Sequence, residues 1–498
     1  MKYRNYYEMI KAIPAERIAI MEDGRQYTYG DIIREADIIA EKYKKRQPGK
    51  LADEYKKRQP DNVADEYKKR QPDNVVDEYK KRQPDNVADG YKKCQSDELT
   101  DEYKKRQSDD STGAHEDGLE SVIRLANGIC LITGYSVVEE LIYFLGAMKA
   151  GDVPVICGRR PGEDEVRHIE SIEVPDGAVM GVMTSGTTGS SKVLFRTTES
   201  WADYFPVQNK LFSMNGDTVL FAQGSLSFTG NLNLYMGLMY AGGRIVTTRR
   251  FDPRYWAKCI DENYVNYIYL IPVKMMALVK SYSKAGGQAD NICNAAIKHY
   301  ITGSQSFGAE EAARVKRIFP ECDMLVYYGA SEINYITYLT DREFTEDSRL
   351  VGRPFPGVKV HIEDDVFVVD NSFGVIGAPR PYKTNDMGFQ DEEGRFYFLG
   401  RADDIIVVNG RKLSAYKIEE ALRKYLGVKN VAVKSVKNGD DESIWAYYES
   451  ETEKTDESYV NIRQSLADVL EACEIPKHFV RVDSLQKTES GKVLRRLV

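Results

Sequence analysis

Met183-Thr-Ser-Gly-Thr-Thr-Gly-Ser-Ser-Lys192 is the stretch on which the reading of this chain turns. Gly186 and Gly189 permit a tight backbone whose amides can wrap an anion. The hydroxyls of Thr184, Ser185, Thr187 and Thr188 add donors, and Lys192 adds positive charge. The spacing is not that of a Walker A loop, because Ser191 rather than glycine precedes the lysine. A polar flexible turn has the same composition, so this loop needs company before it reads as a phosphate cradle.

On either side, apolar runs alternate with helical patterns. VPVIC (153–157), TVLFAQ (218–223), GRIVTT (243–248), YIYLIPV (267–273) and DMLVYYG (323–329) read as buried strands of an α/β fold. After Arg401 the texture changes. A short strand (DIIVV), a helix (AYKIEEALRKYL), further strands (NVAVKSV, SIWAYYES), a second helix (VNIRQSLADVLEAC) and a basic tail predict a small α+β domain, with the boundary at 401–404.

The company arrives downstream, as Tyr328-Gly-Ala-Ser-Glu332, Tyr382-Lys-Thr-Asn-Asp386, Gly400-Arg-Ala-Asp-Asp404 with Asn409-Gly410, and Lys487-Thr-Glu-Ser-Gly-Lys492. Singly, each has an ordinary reading: a surface carboxylate, a core tyrosine, a turn-forming Asp, one cation in a basic tail. In this order the set resembles the adenylate-forming superfamily of acyl- and aryl-CoA synthetases, peptide-synthetase adenylation domains and luciferases. GAMKAGDVPV (146–155) and GRPFPGVKV (352–360) resemble that family's strand-bordering segments.

The resemblance implies an architecture and a set of roles. The architecture is a large multi-sheet α/β AMP-binding domain over 1–401 and a small mobile α+β lid over 402–498. Thr184, Ser185, Gly186, Thr187, Thr188, Gly189 and Lys192 would hold the β- and γ-phosphates of ATP. Gly303, Ser304, Tyr328, Gly329 and Ser331 would border the nucleotide, with Tyr328 on adenine and Ser331 at the α-phosphate. Glu332 would hold Mg²⁺, a hard cation that takes oxygen ligands. Asp386 would accept both ribose hydroxyls with Arg401 beside it, and Asp403 would be the hinge. Lys492 would stabilise the charge that develops as a carboxylate attacks the α-phosphorus. The lid would then rotate and open a path along Asn409-Gly410 for a thiol. No enzyme nucleophile is required, in keeping with a sequence that offers no convincing Ser/His/Asp or Cys/His set.

Several positions depart from the family pattern. Ser191 stands for a proline, Asn385 for the glycine of Thr-Gly-Asp, Gln486 for a proline, Val407 for a lysine and Lys417 for a glutamate. The substrate pocket would include Phe228, Thr229 and Asn334. Phe228-Thr229 falls where amino-acid-activating members have Phe-Asp, and threonine cannot supply a charge for an α-ammonium group. A fatty or aryl acid is therefore favoured over an amino acid.

From Glu41 to about Ser111 the chain repeats a twelve-residue unit close to VADEYKKRQPDN, with Tyr43, Tyr55, Tyr67, Tyr79, Tyr91 and Tyr103 in register. Asp65 faces Lys69 at i,i+4 and Pro72 interrupts, so a unit can make about two helical turns and no more. Its few apolar residues fit either a solvated spacer or an array that docks on a partner. In both cases it behaves as an insertion in a surface loop of a globular domain.

Composition sets the outer bounds. A net charge of -8 and a pI of about 5.5 argue against a chain-wide nucleic-acid-binding face. The seven cysteines are scattered, with no CxxC pair, which suits a reducing compartment and predicts a cytoplasmic protein. The start, MKYRNYYEMIKAIPAERIAI, has no uninterrupted apolar run, and the most apolar stretch, Ile129 to Ala150, is broken by Glu139 and Glu140, so neither a signal peptide nor a membrane span is predicted. The leading expectation is ATP-dependent activation of a carboxylic acid, with transfer to coenzyme A. A carrier-protein phosphopantetheine is the alternative acceptor, and a non-catalytic scaffold that binds through its repeats is the reading from another class.

Overall fold

Short runs of β-branched and aromatic residues become buried strands, and the amphipathic stretches between them become helices. The computed structural model describes residues 5–45, 121–134, 136–184, 192–285, 296–305, 307–428, 430–438, 441–450, 456–486 and 493. By its contacts the chain divides into two units, Met1–Val182 with Met214–Val265, and Met183–Ser213 with Asn266–Val498.

In the first unit, Val219–Gln223, Arg244–Thr248 and Ile18–Glu22 run parallel, and Arg25–Thr28 closes the edge as an antiparallel hairpin. Another set pairs Val122–Arg124 antiparallel to Ile129–Ile132, which runs parallel to Val153–Ile156. Every residue of Ile129–Ile132 and of Val153–Ile156 is buried, as strands covered on both faces require. The stretch that looked most apolar in sequence is thus a strand followed by the helix Val137–Ala150. Among the described residues no helix is long and apolar enough to cross a membrane.

Helix Val137–Ala150 packs against helix Tyr29–Lys45. Contact is close because residue 146 is glycine: a Cβ there would lie 2.7 Å from Cγ2 of Ile39. The helix start is held by one hydroxyl and one carboxylate. Ser136 accepts from the Glu139 amide, and the buried Glu22 carboxylate accepts from the amides of Val137 and Val138 at 2.9 and 3.0 Å. At the far end of helix Tyr29–Lys45, Tyr43 is fully buried and its carbonyl accepts from Arg124, which also forks onto Asp152 at 2.6 and 2.8 Å. The first repeat unit therefore begins inside a folded helix. The remainder of the repeat lies outside the described residues.

In the second unit, Tyr267–Tyr269, His299–Gly303 and Asp323–Ala330 run parallel. The sheet then turns antiparallel through Asn334–Thr340, Leu350–Pro354, Phe396–Arg401, Tyr382–Gln390, Val366–Asp370 and Lys359–Glu363. The apolar run YIYLIPV makes a shorter strand than its length suggests, because Pro272 opens the helix Pro272–Ala285, where a missing amide costs nothing.

Residues after Arg401 in the same unit build sheets of their own. Ile405–Val408 and Arg411–Ser414 form a hairpin around Asn409-Gly410, both at positive φ, as a two-residue turn of this kind demands. Val431–Asn438 and Asp441–Glu449 pair antiparallel, and His478–Val482 joins parallel. Helix Ala415–Leu426, capped by Ser414 and ended by left-handed Gly427, buries Ile418 and Leu422 in a separate core with Val433, Ala446 and Leu466.

Candidate active site

The second unit gathers most of the predicted nucleotide residues. Strands Asp323–Ala330 and Asn334–Thr340 are joined by the turn Ser331-Glu332-Ile333, with the Ile333 amide on the Ala330 carbonyl at 3.2 Å. The turn is tight for a steric reason: a Cβ on Gly329 would lie 2.5 Å from the Asn334 carbonyl, and buried Asn334 itself takes φ +65°. Ser331 and Glu332 are half-buried at its tip. On the neighbouring parallel strand, Gly303 pairs with Tyr327, whose ring and carbonyl lie 2.8 Å from where a Cβ would stand. Ser304 follows, exposed and at φ +69°.

Asp386 and Arg401 sit opposite one another on the paired strands Tyr382–Gln390 and Phe396–Arg401. Tyr328 donates its hydroxyl to Oδ2 of Asp386 at 2.5 Å, and Arg401 Nε stands 3.5 Å from Oδ1. Thr384 fixes the approach, since its hydroxyl accepts from the Asp386 amide at 3.1 Å and donates to the Phe367 carbonyl. The Tyr328 ring leans on Phe367 and Phe398, with centroids at 5.3 and 5.6 Å.

Burial pushes the Asp386 carboxyl above its usual range, against the opposing pull of the Tyr328 hydroxyl and Arg401. Burial and the adjacent Asp386 charge hold the Tyr328 phenol well above its ordinary value, so it remains a donor. A carboxylate has about four lone-pair positions. One takes Tyr328 and one faces Arg401, which leaves about two for a pair of vicinal hydroxyls.

A divalent ion has no all-protein cage here: among the described residues no group of three or more His, Cys, Asp or Glu could hold a metal. The half-buried Glu332 carboxylate fits a magnesium ion that takes one protein oxygen and completes its shell with phosphates and water.

Other predicted residues fall as follows. Thr184 ends strand Met180–Thr184 and Lys192, exposed, begins strand Lys192–Arg196, so the two flank the predicted loop. Ser185, Gly186, Thr187, Thr188, Gly189 and Lys492 lie outside the described residues. Asp403 lies in the turn Ala402–Asp404. Gly410 occupies the hairpin turn, where Asn409 donates to Glu442 from its amide and its side chain. Phe228 and Thr229 belong to the first unit, at the start of helix Thr229–Tyr240, and Phe228 is exposed. Asn334 belongs to the second. Of the departures from the family pattern, Val407 is exposed and Lys417 pairs with Glu474 at 2.6 Å.

The burial of three charges was not foreseen from the sequence. Arg196 ends strand Lys192–Arg196 and donates to the Ser331 carbonyl. Glu22 caps a helix, and Glu140, fully buried, accepts from the Ser225 hydroxyl and the Leu226 amide at 2.7 and 2.8 Å. The available signal was a charge inside an apolar run (KVLFR, IAIME, VVEELIY).

Comparison with known proteins gives the same outline. A profile described as AMP-binding enzyme matches residues 170–377, and one described as AMP-binding enzyme C-terminal domain matches 417–492. An uncharacterized acyl-CoA ligase of Bacillus subtilis is 23% identical over 388 residues, covering 74% of this chain and 78% of its own. A putative long chain fatty acid-CoA ligase of Staphylococcus haemolyticus is 24% identical, over 66% of this chain and 71% of its own. Among solved structures, o-succinylbenzoate CoA synthetase from Bacillus subtilis, in complex with its acyl-adenylate intermediate, superposes with a TM-score of 0.70 at 15% identity, covering 99% of this chain and 97% of that one. The same synthetase in complex with ATP and magnesium gives 0.68, covering 99% and 98%.

Proposed function

We propose, from the premise that this chain belongs to the AMP-binding enzyme family and is an AMP-forming acid–thiol ligase, that it activates a fatty or aryl acid and passes it to coenzyme A. The observation that carries the nucleotide half is the Tyr328–Asp386–Arg401 group, a half-buried carboxylate with about two lone-pair positions to spare.

In the first half-reaction a carboxylate oxygen of the acid attacks the α-phosphorus of ATP, the bond to the β-phosphate oxygen breaks, and pyrophosphate leaves. Asp386 accepts from the ribose hydroxyls, and Arg401 keeps its charge in place. Ser331 meets the α-phosphate, and the loop from Thr184 to Lys192 holds the outer phosphates. Bound magnesium, on Glu332, supplies positive charge to the phosphate oxygens. Lys492 stabilises the charge that grows on the α-phosphate. In the second half-reaction a thiol attacks the acyl carbonyl and AMP departs. Residues 402–498 act as a lid about Asp403, a role supported by their separate core and by the C-terminal family match. Val407 and Lys417 bear on this thiol-transfer step rather than on ATP.

Phe228 and Thr229 border the acid pocket. Thr229, at the first turn of helix Thr229–Tyr240, has a neutral hydroxyl where an α-ammonium would need a carboxylate, which supports an acid without an α-amino group. Acid-dependent ATP–pyrophosphate exchange over a panel of fatty, aryl and amino acids, run beside Lys492→Ala, tests the reading. Exchange with one fatty or aryl class, collapsing in the variant, is the expected result. Folded protein that binds ATP yet exchanges with no acid would remove it.

A further inference from the structure

We infer that Arg196 is a positioning residue for the nucleotide half of the reaction: its guanidinium ties the strand leaving the phosphate loop to the turn that presents Ser331 and Glu332. The inference rests on the proposed function and concerns a residue that touches none of the reacting atoms.

Arg196 lies four residues beyond Lys192 on strand Lys192–Arg196 and is 1% exposed. Its acceptors are three backbone carbonyls rather than a carboxylate: Phe373 at 2.6 Å, Ser331 at 2.7 Å and Ser200 at 3.1 Å. The same two elements are clasped a second time through the backbone of residues 371–376. Ile376 donates to the Phe195 carbonyl and Val375 to the Glu332 carbonyl, both at 2.8 Å. Asn371 donates from its side chain to the Ile333 carbonyl at 2.9 Å. The strand, the turn and this segment thus close into one rigid frame, with the guanidinium fork at its centre.

A cation buried without a contact ion pair among the described residues is costly, and burial drags the Arg196 guanidinium down to about 10 while the field of Glu332 pulls it back up. A neutral residue would hold a fold together more cheaply, so the charge calls for an explanation. Its placement supplies one. By gripping the carbonyl of Ser331, the cation sets the turn from behind and leaves the Glu332 carboxylate for a metal ion. A direct ion pair with Glu332 would compete with that ion. Only a planar fork can serve carbonyls on three separate segments; an ammonium at the same place cannot span them.

The test measures Mg·ATP binding by calorimetry for wild type, Arg196→Met and Arg196→Lys, with a magnesium titration at fixed ATP, the KM for the acid and the melting temperature. Loss of a charge-assisted bond of this kind predicts Mg·ATP binding weakened roughly tenfold or more, with the magnesium curve moved to higher concentration. The acid KM should stay within about twofold, because uniform loss of folding would move both substrates together. A lower melting temperature with unchanged Mg·ATP affinity and an unchanged magnesium curve would make Arg196 a fold staple and overturn the inference. Should Arg196→Met fail to fold, Arg196→Lys decides by the same comparison, since it keeps a cation and loses the fork. A wild-type chain that bound no Mg·ATP would remove the proposed function first and this inference with it.

Discussion

Asp386→Asn separates what this carboxylate does for ATP from what it does to the fold. In the wild type one oxygen takes the Tyr328 hydroxyl and the other stands 3.5 Å from Arg401, leaving about two acceptor positions for the ribose. Asparagine keeps a single acceptor oxygen, which Tyr328 already claims, and turns a donor toward the second hydroxyl. At least one charge-assisted hydrogen bond is lost, about 1.5–3 kcal/mol, which is roughly 10- to 150-fold in ATP affinity. Stability should move the other way. Burial raises the Asp386 pKa above its unfolded value, so its contribution to folding is present at low pH and lost as pH rises through the folded value. At pH above the carboxyl's ordinary range the wild type therefore carries a burial cost that a neutral amide does not, and Asp386→Asn should melt at the same temperature or higher. Calorimetric ATP binding and thermal unfolding at pH 7 are the assays. Unchanged ATP affinity would refute the ribose assignment, and a large fall in melting temperature would refute the electrostatic argument.

Glu22→Ala strands two buried amides at the start of helix Val137–Ala150 and should cost about 2–4 kcal/mol, read by denaturant unfolding. Glu22→Gln should lose less, and its deficit should shrink as pH rises, because burial raises the Glu22 pKa and the wild type loses stability above it. Deleting residues 53–100, which are whole repeat units, should leave kcat and both KM values within about twofold if the array is a passive loop insertion; a larger change in steady-state kinetics would give the array a part in the reaction.

Much of the site was legible because its chemistry is local. A Ser-Glu pair after Gly329, an Asp two residues past Thr384 and an Asn-Gly pair each stand out in a few letters, and the structure carries them on a turn, on strand Tyr382–Gln390 and in a hairpin, geometries that the letters alone did not state. The sheet was legible through the continuous apolar runs that burial on both faces demands; YIYLIPV overran only because proline can end a strand or open a helix. Arg196, Glu22 and Glu140 were not legible. Each finds at least one partner more than eighty residues away, at Ser331, Val137 and Leu226, and a charge in an apolar strand or helix looks the same whether it is buried or snorkels to water. Likewise, the change of texture at 401–404 is a local signal, whereas contacts that join the later residues to the earlier sheet, such as Lys412 on Asp365 at 2.6 Å, are distant ones.

The seat of Tyr43 bears on how this gene can change. The anchor that ties helix Tyr29–Lys45 to Arg124 lies within the first unit of the array, not upstream of it. Every later unit down to Tyr103 places a tyrosine before a lysine pair at the same twelve-residue phase. Slippage during replication that adds or removes whole units therefore keeps a Tyr-Lys-Lys at the twelve-residue phase that fills the socket of Tyr43. A shift of any other size would take the tyrosine out of that phase and unseat the helix end that Arg124 holds.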